Sequence, residues 1–560
     1  MKKMPGFNLY SSSSVQKNPT YNFDGLEPVE WIQEDDFKIS SQTPINYPKN
    51  SSPNPNGYLE GSLYSNSTES NLNNLYHLLD AGRLDESAKM VHNWDGEFVI
   101  VYAAKDKIYV VSDAYGRLPV YYSNVDGQYQ VTRNISFVRS FQTSNEFDKM
   151  QLGVSLLFGF QLGEATLWES IHKAPPHSIL EIDRSTNKLK VHRYFKLKTV
   201  NGDAHFDDVK EEIRETFVET LKSRLEFMDK PTLSLSGGLD SRLIAAALKH
   251  IDAEIPYITY SRDNNVDILD HVSSKEITQR LGAEGNHEMV TLGPPTINSA
   301  NELLNFKQGF NFLSMSYIVP YYKLHEERGI STITGDGGGK YFVDLYPLKS
   351  LKSMDQLINY LLRYNAFCDF DTAANIAGIK VEELKSYVID HISAYPFDDF
   401  NDKYTYFLIR EAGINWAFEG EDRNRQYCWS STPFYNPKLI DLCLSIPQRS
   451  KEYGALFKYL YGSFPGGLGT VSNPNWNEVV DNSKSVRRIH NRQKLKSYIP
   501  TFVLDYKKGL KLDEFTFSEE FKVLKSTCRK DQIDLSQMKS KHTMNFYWQL
   551  YTLMKLSSIN

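Results

Sequence analysis

The stretch TLSLSGGLDSRLIAAALKH (232–250) allows the chain few arrangements: a short apolar run meets two glycines and then a helix-forming run, all within 19 residues. A strand that must turn into a helix so abruptly reads as the opening of an α/β unit. Ahead of it, FDDVKEEIRETFVETLKSRL (206–225) places Val209, Ile213, Phe217 and Leu221 four apart, which predicts a helix behind an aspartate cap. After it come IPYITY (255–260), a polar helix around 270–282, EMVTL (288–292) and ISTIT (330–334). Strands alternating with helices predict a parallel sheet that takes ligands at the carboxyl ends of its strands.

The first 200 residues have another texture. EFVIVYAA (97–104) and KIYVVSDAYGRLPVYYS (107–123) are short apolar runs with turn residues between them and read as β-structure. The Pro-, Asn- and Ser-rich segments 43–57 and 65–74 read as surface loops within that region. The change follows VHRYFKLKTVNGD (191–203), and 560 residues exceed one hydrophobic core, so two domains are expected, residues 1–200 and 201–560.

With 41% hydrophobic residues and a formal net charge of −6, the chain reads as a soluble globular protein without global attraction to nucleic acid or membrane. It has no apolar run near the length of a membrane span and no apolar stretch behind its opening lysines, so a cytoplasmic location is expected. The four cysteines, Cys368, Cys428, Cys443 and Cys528, lack the spacing of a zinc site or disulfide framework. The basic run KSVRRIHNRQKLK (484–496) lacks interleaved aromatics and reads as a solvated helix face.

Two glycine stretches follow predicted strands. In the first, the turn through Ser236, Gly237, Gly238, Asp240 and Ser241 is either an ordinary strand–turn–helix connection or a place where amides and a helix N-terminus converge on an anion. It is not a GxxxxGK[ST] loop. Asp240 would repel a bare phosphate, so it implies Mg²⁺ bridging to phosphate oxygens. The second stretch, TGDGGGK (334–340), leaves the backbone equally bare and adds Asp336 and Lys340.

SGGLDS resembles the pyrophosphate-binding loop of the ATP pyrophosphatase superfamily, in a setting similar to the asparagine synthetase branch. NWDGEFVIVYAAKDKIYVVSDAYGRLPVYY (93–122) and TLWESIHKAPPHSILEID (166–183) resemble that branch's glutaminase-type domain. TGDGGGK falls where the branch carries its second ATP loop, and EDRNRQYCWSSTPFYNPKLIDLCLSIPQRSKEYGALFKYLY (421–461) resembles its helical region. The resemblance implies an inactive class II glutamine amidotransferase-like (Ntn) αββα domain over 1–200. It implies an ATP pyrophosphatase-type, adenine nucleotide α-hydrolase-like synthetase domain with added helices over 201–560. By position it places Leu235, Tyr260, Thr334 and Gly335 beside ATP, with Ser236, Gly237, Gly238 and Ser241 on its phosphates and Asp240 on the metal. Tyr260 reads equally well as a core aromatic. Lys458 aligns with the lysine that stabilises the transition state of amide formation, and Asp336 is a candidate base or second metal ligand.

The departures set the functional expectation. Glutamine-hydrolysing members begin with a cysteine after Met removal, whereas this chain begins Met1, Lys2 and first has cysteine at 368, so the first domain is expected to be glutaminase-dead. That points to ATP-dependent amide-bond formation through an acyl-adenylate on a carboxylate-bearing peptide or small molecule, as in lasso-peptide cyclases and β-lactam synthetases. Partner proteins that process a precursor peptide would accompany a cyclase. An ammonia-using amidating enzyme and a nucleotide-binding pseudoenzyme are the alternatives. The last gains from Gly339, which stands where such proteins carry a metal-binding aspartate. Asp344 and Lys340 are candidates to compensate. Trp429 and Ser431 replace a Glu and an Arg that shape the acyl side, implying a different acceptor pocket.

Overall fold

The computed structural model describes residues 6–14, 29–34, 36–42, 52, 54–142, 144, 146–262, 268–293, 296–310, 313–474, 478–499 and 543–557. The chain's opening residues, Cys528 and most of segment 43–57 lie outside the described residues.

The N-terminal part stacks two antiparallel sheets. One takes β1 (Gly6–Ser11), β2 (Val29–Gln33), β3 (Phe37–Gln42), β7 (Tyr121–Val125), β8 (Gln128–Thr132) and β9 (His172–Lys173); the other takes β4 (Gly57–Leu63), β5 (Gly96–Ala103), β6 (Lys107–Ser112), β10 (Ser178–Asp183) and β11 (Leu189–Arg193). The orders are β2-β3-β1-β8-β7-β9 and β11-β10-β6-β5-β4. Alternation sends Phe7, Leu9, Val131, Val99, Val101 and Val110 into one shared core between the sheets. The opposite residues of β5, Phe98, Ile100 and Tyr102, pack under α1 (Thr68–Asp80) and α2 (Leu84–His92). On the far side, α3 (Ile135–Arg139) and α4 (Lys149–Phe158) bury Ile135, Val138, Val154 and Leu157 with Tyr121 of β7. The layers therefore run helix, sheet, sheet, helix.

Segment 65–74 corrects the loop expectation, because α1 starts at Thr68. Its first two turns are polar only on the solvent side; Leu72, Leu75, Tyr76 and Leu79 form the buried stripe that composition alone concealed.

After α5 (Phe206–Phe227) the chain builds a five-stranded parallel sheet, the predicted α/β core. Its strands are β12 (Pro231–Ser234), β13 (Tyr257–Arg262), β14 (His287–Leu292), β15 (Ser331–Ile333) and β16 (Ser430–Ser431), in the order β14-β13-β12-β15-β16. The fifth strand is two polar residues long and carries no apolar pattern to predict it. No aspartate caps α5: His205 precedes it, and Asp207 and Asp208 lie in its first turn, where they favour the helix dipole. The basic run forms the helix Ser483–Ser497, with most of its side chains exposed as expected. No described helix is long and apolar enough to cross a membrane.

The two parts meet over the helix Phe418–Arg425, whose carboxylates are buried against cations of the sandwich. Arg117 bonds Glu97 at 2.5 Å and Glu421 at 2.6 Å. Arg133 pairs with Glu60 and Asp422, and Lys173 reaches Glu419 at 2.6 Å. Lys307 closes the network on Glu419 and Asp422, and the Tyr121 hydroxyl donates to Glu419 at 2.9 Å. Burial alone would raise Glu97, but Arg117, Arg224 and Arg425 override it and hold the carboxyl at about 2. Removing one member strands a buried charge, so Arg133→Met should lower unfolding free energy by about 3–5 kcal/mol in urea titrations. A change below 1 kcal/mol would show that the network does not join the two parts.

Candidate active site

The strand order reverses between β12 and β15, and such a switch point opens a crevice beyond the strand ends. Both glycine stretches leave these two strands. From β12 the chain passes Leu235, Ser236 and Gly237 into α6 (Leu239–His250), with Gly238 at the cap position. From β15 it passes Thr334 to Gly337 into the short helix α10 (Gly338–Tyr341), the helices α7 (Ile268–Leu281), α8 (Ile297–Lys307) and α9 (Val319–Arg328) intervening.

The loops touch, and glycine is what allows it. A Cβ on Gly335 would lie 2.7 Å from Ser241 N and 3.0 Å from Asp240 Cβ; one on Gly338 would lie 2.3 Å from Asp240 Oδ1. Gly337 takes φ +104° and would drive a Cβ against Phe434 and Tyr435. Gly339 differs, because a Cβ there meets only Asp240 Oδ2, at 3.8 Å. Its backbone amide favours the charged form of Asp240.

The first loop is braced from within. Ser236 N–H donates to Ser241 Oγ at 3.0 Å, Gly238 N–H to Ser236 Oγ at 3.2 Å and Gly237 N–H to Asp270 Oδ1 at 2.8 Å. The expected convergence of loop amides on an anion is thus met only in part, since these three are engaged. No side chain caps α6, so its first turn presents the remaining donors. Arg242, which sequence reading passed over although it follows SGGLDS directly, donates to Gly237 O at 2.5 Å, Ser472 O at 2.8 Å and Val471 O at 2.7 Å. Tyr461 OH donates to Leu239 O at 2.5 Å.

Leu235 is buried, with its N–H on Ile258 O at 3.0 Å. Tyr260, near the end of β13, packs against Tyr321 with ring centroids 5.1 Å apart. Thr334 Oγ1 donates to Asp336 Oδ2 at 3.1 Å, and Thr432 Oγ1 to Asp336 O at 2.8 Å. Asp336 is exposed and acts on the half-buried Asp240, whose carboxyl is pushed up to about 7, first by burial and then by that like charge. Asp344 is turned elsewhere, paired to Arg449 at 2.8 Å. Lys458 is exposed and donates to Ser483 Oγ at 2.7 Å; its helix Ala455–Ser463 meets the first loop through Tyr461 instead. Trp429 and Ser431 reach back to the sandwich, Trp429 Nε1 donating to Tyr64 OH at 3.2 Å and Ser431 Oγ to Glu97 Oε1 at 2.7 Å.

Burial and a neighbouring carboxylate both disfavour the charged form of Asp240, which a cation would stabilise, so Asp240 fits Mg²⁺ in donor chemistry. Among the described residues no group of three or more His, Cys, Asp or Glu forms a complete cage. Magnesium commonly takes one or two carboxylates and completes its shell with water and phosphate oxygens.

No family model matches the sequence. The glutamine-hydrolyzing asparagine synthetase of Gallus gallus is 22% identical over 340 residues, which cover 55% of this chain and 57% of the relative. The chain thus spans little more than half the length of that protein. The glutamine phosphoribosylpyrophosphate amidotransferase from B. subtilis, solved with ADP and GMP, is 10% identical and covers 52% of this chain and 85% of its own, at a TM-score of 0.20. The NMN synthetase from Francisella tularensis is 13% identical and covers 37% and 95%, also at 0.20. At that score neither structure carries an argument, and the fold rests on the strand order and layering above.

The loop contact has a direct test. Gly338→Ala should cost about 1–3 kcal/mol in chemical denaturation, as overpacking does, whereas Gly339→Ala should stay within about 0.5 kcal/mol. Equal effects at the two positions would contradict the interlock.

Proposed function

We propose that the protein is an ATP-dependent ligase that joins a carboxylate to an amine through an acyl-adenylate, releasing pyrophosphate. The observation that carries this reading is the meeting of two glycine loops at the switch point, with Asp240 enclosed by the second loop. The distant likeness to an asparagine synthetase agrees with it.

In this reading Leu235, Tyr260, Thr334 and Gly335 flank the nucleotide, and Ser236, Gly237, Gly238 and Ser241 shape the wall under its phosphates. The first turn of α6 donates to phosphate oxygens. Asp240 would hold Mg²⁺, which would supply charge neutralisation on the pyrophosphate leaving group, and Asp336 stays free of the metal. The substrate carboxylate displaces pyrophosphate from the α-phosphorus. The amine then attacks the acyl carbon, AMP leaves, and Asp336, exposed at the loop, accepts the amine's proton. Lys458 is the lysine the resemblance assigns to the second step, although the helix that carries it turns it towards Ser483.

The N-terminal sandwich serves as a scaffold in this account. The start of β1 is closed by Arg133, since a Cβ on Gly6 would lie 2.3 Å from Arg133 Cβ, and Phe7 N–H is bound by Glu60 at 2.9 Å. Trp429 and Ser431, tied to that sandwich, favour an acceptor other than aspartate, such as a peptide cyclised on its own amine.

The test is pyrophosphate release by purified protein with ATP and Mg²⁺ across free amino acids, sugar acids and acidic peptides, with and without ammonium. A carboxylate-dependent release independent of ammonium supports the ligase acting on a larger amine, whereas release that requires ammonium supports simple amidation. ATP binding without release under any condition overturns both in favour of a nucleotide-binding scaffold. Asp240→Asn should reduce release about 100-fold or more, the loss of several kcal/mol of charge stabilisation. Lys458→Ala should leave pyrophosphate release intact and lower amide product if the second step depends on it.

A further inference from the structure

Arg242 is a wholly buried cation at the fourth position of α6, close to the helix end where the macrodipole disfavours positive charge. Backbone carbonyls take up its guanidinium. Nη2 donates to Gly237 O at 2.5 Å and Ser472 O at 2.8 Å, and Nη1 to Val471 O at 2.7 Å and Leu468 O at 3.2 Å. The N–H groups of both terminal nitrogens are thereby used. A helical side chain leans towards the N-terminus of its helix, so Arg242 reaches back beneath the loop that precedes α6. One planar fork thus joins the first glycine loop to a segment 226 to 230 residues further along the chain.

The joint closes on Gly237. Its N–H donates to Asp270 Oδ1 at 2.8 Å while its carbonyl accepts from Arg242, so the planar peptide groups on both sides of this residue are fixed. A Cβ here would lie 2.5 Å from Pro474 Cγ and 2.7 Å from Ser273 Cβ, so α7 and segment 468–474 both press on the bare backbone. Ser273 Oγ also donates to Ser472 O, at 3.2 Å. The hydroxyls of Ser236 and Ser241 brace the loop from within, but they do not fix its place against its neighbours. Arg242 does that, because its two terminal nitrogens each hold a different stretch of chain.

We infer that Arg242 is a positioning residue of the nucleotide site, locking the Gly237 peptides against segment 468–474, which forms a third wall behind the two glycine loops. The inference rests on the ligase reading above and adds a residue and a segment to its nucleotide site. With its terminal N–H groups on carbonyls, Arg242 is no phosphate ligand. It acts through the loop, setting where Ser236, Gly237, Gly238 and the first turn of α6 stand before a polyphosphate arrives. A lysine at this position would keep the charge, but a point ammonium does not reproduce a planar fork that spans two stretches of chain.

Isothermal titration of the full chain with pyrophosphate, ATP and adenosine, each with Mg²⁺, tests it in wild type, Arg242→Lys and Arg242→Gln, alongside amide hydrogen exchange. Arg242→Lys should weaken pyrophosphate and ATP about 10- to 100-fold and leave adenosine unchanged. In the wild type, pyrophosphate should slow exchange in residues 468–473 through the Arg242 joint, and in Arg242→Lys that slowing should vanish. Arg242→Gln removes the buried charge together with the fork; it should behave as Arg242→Lys does, and it takes the place of that variant if the lysine prevents folding. Wild-type affinity for pyrophosphate in both variants overturns the assignment alone and leaves the nucleotide site standing. A parallel loss of adenosine, or a weakened variant whose 468–473 exchange still responds to pyrophosphate, overturns it in favour of a general structural role. Failure of the wild-type protein to bind ATP and pyrophosphate overturns the site and the assignment together.

Discussion

The buried charge network on the helix Phe418–Arg425 is the constraint on which the arrangement of the whole molecule depends. Glu419, Glu421 and Asp422 are each at most 3% exposed and paired to Arg117, Arg133, Lys173 and Lys307, and those cations hold Glu419 and Asp422 below the ordinary carboxyl range against their burial. Three of those four cations come from the sandwich. The same helix leads into β16 and Thr432, which holds the second glycine loop by the Asp336 carbonyl. The layered sheets therefore act on the candidate site without supplying any of its reactive groups.

The site depends on a second contact, between two backbones. Gly335 and Gly338 let the second loop lie on Ser241 N and on the Asp240 carboxylate at distances no Cβ would allow. That closeness desolvates Asp240 and brings Asp336 to act on it, and together these push its carboxyl up to about 7. The glycines thus determine both the shape of the crevice and its appetite for a cation.

Much of this was legible in the residue order. The abrupt passage from TLSL through two glycines into SRLIAAALKH required an α/β unit, and the four predicted strands of the parallel sheet all formed. Local composition misled where the signal was one-sided: the Asn- and Ser-rich surface of α1 hid a buried Leu72, Leu75, Tyr76, Leu79 stripe. The fifth strand was out of reach, because Ser430 and Ser431 become a strand only by pairing with Thr332 and Ile333. Asp344 looked available beside the loop, and only the fold shows that Arg449 holds it.

What the sequence determined by itself was local: glycines where backbones must approach, an aspartate in a helix's first turn, and apolar periods that build strands and helices. These depend on interactions between near neighbours, which residue order encodes directly. Only the tertiary structure decided which charges are paired, because partners such as Arg117 and Glu421 stand 304 residues apart. It alone shows that the buried ammonium groups of Lys403 and Lys451 find carbonyls, since desolvation is a property of the packed chain and not of the residue.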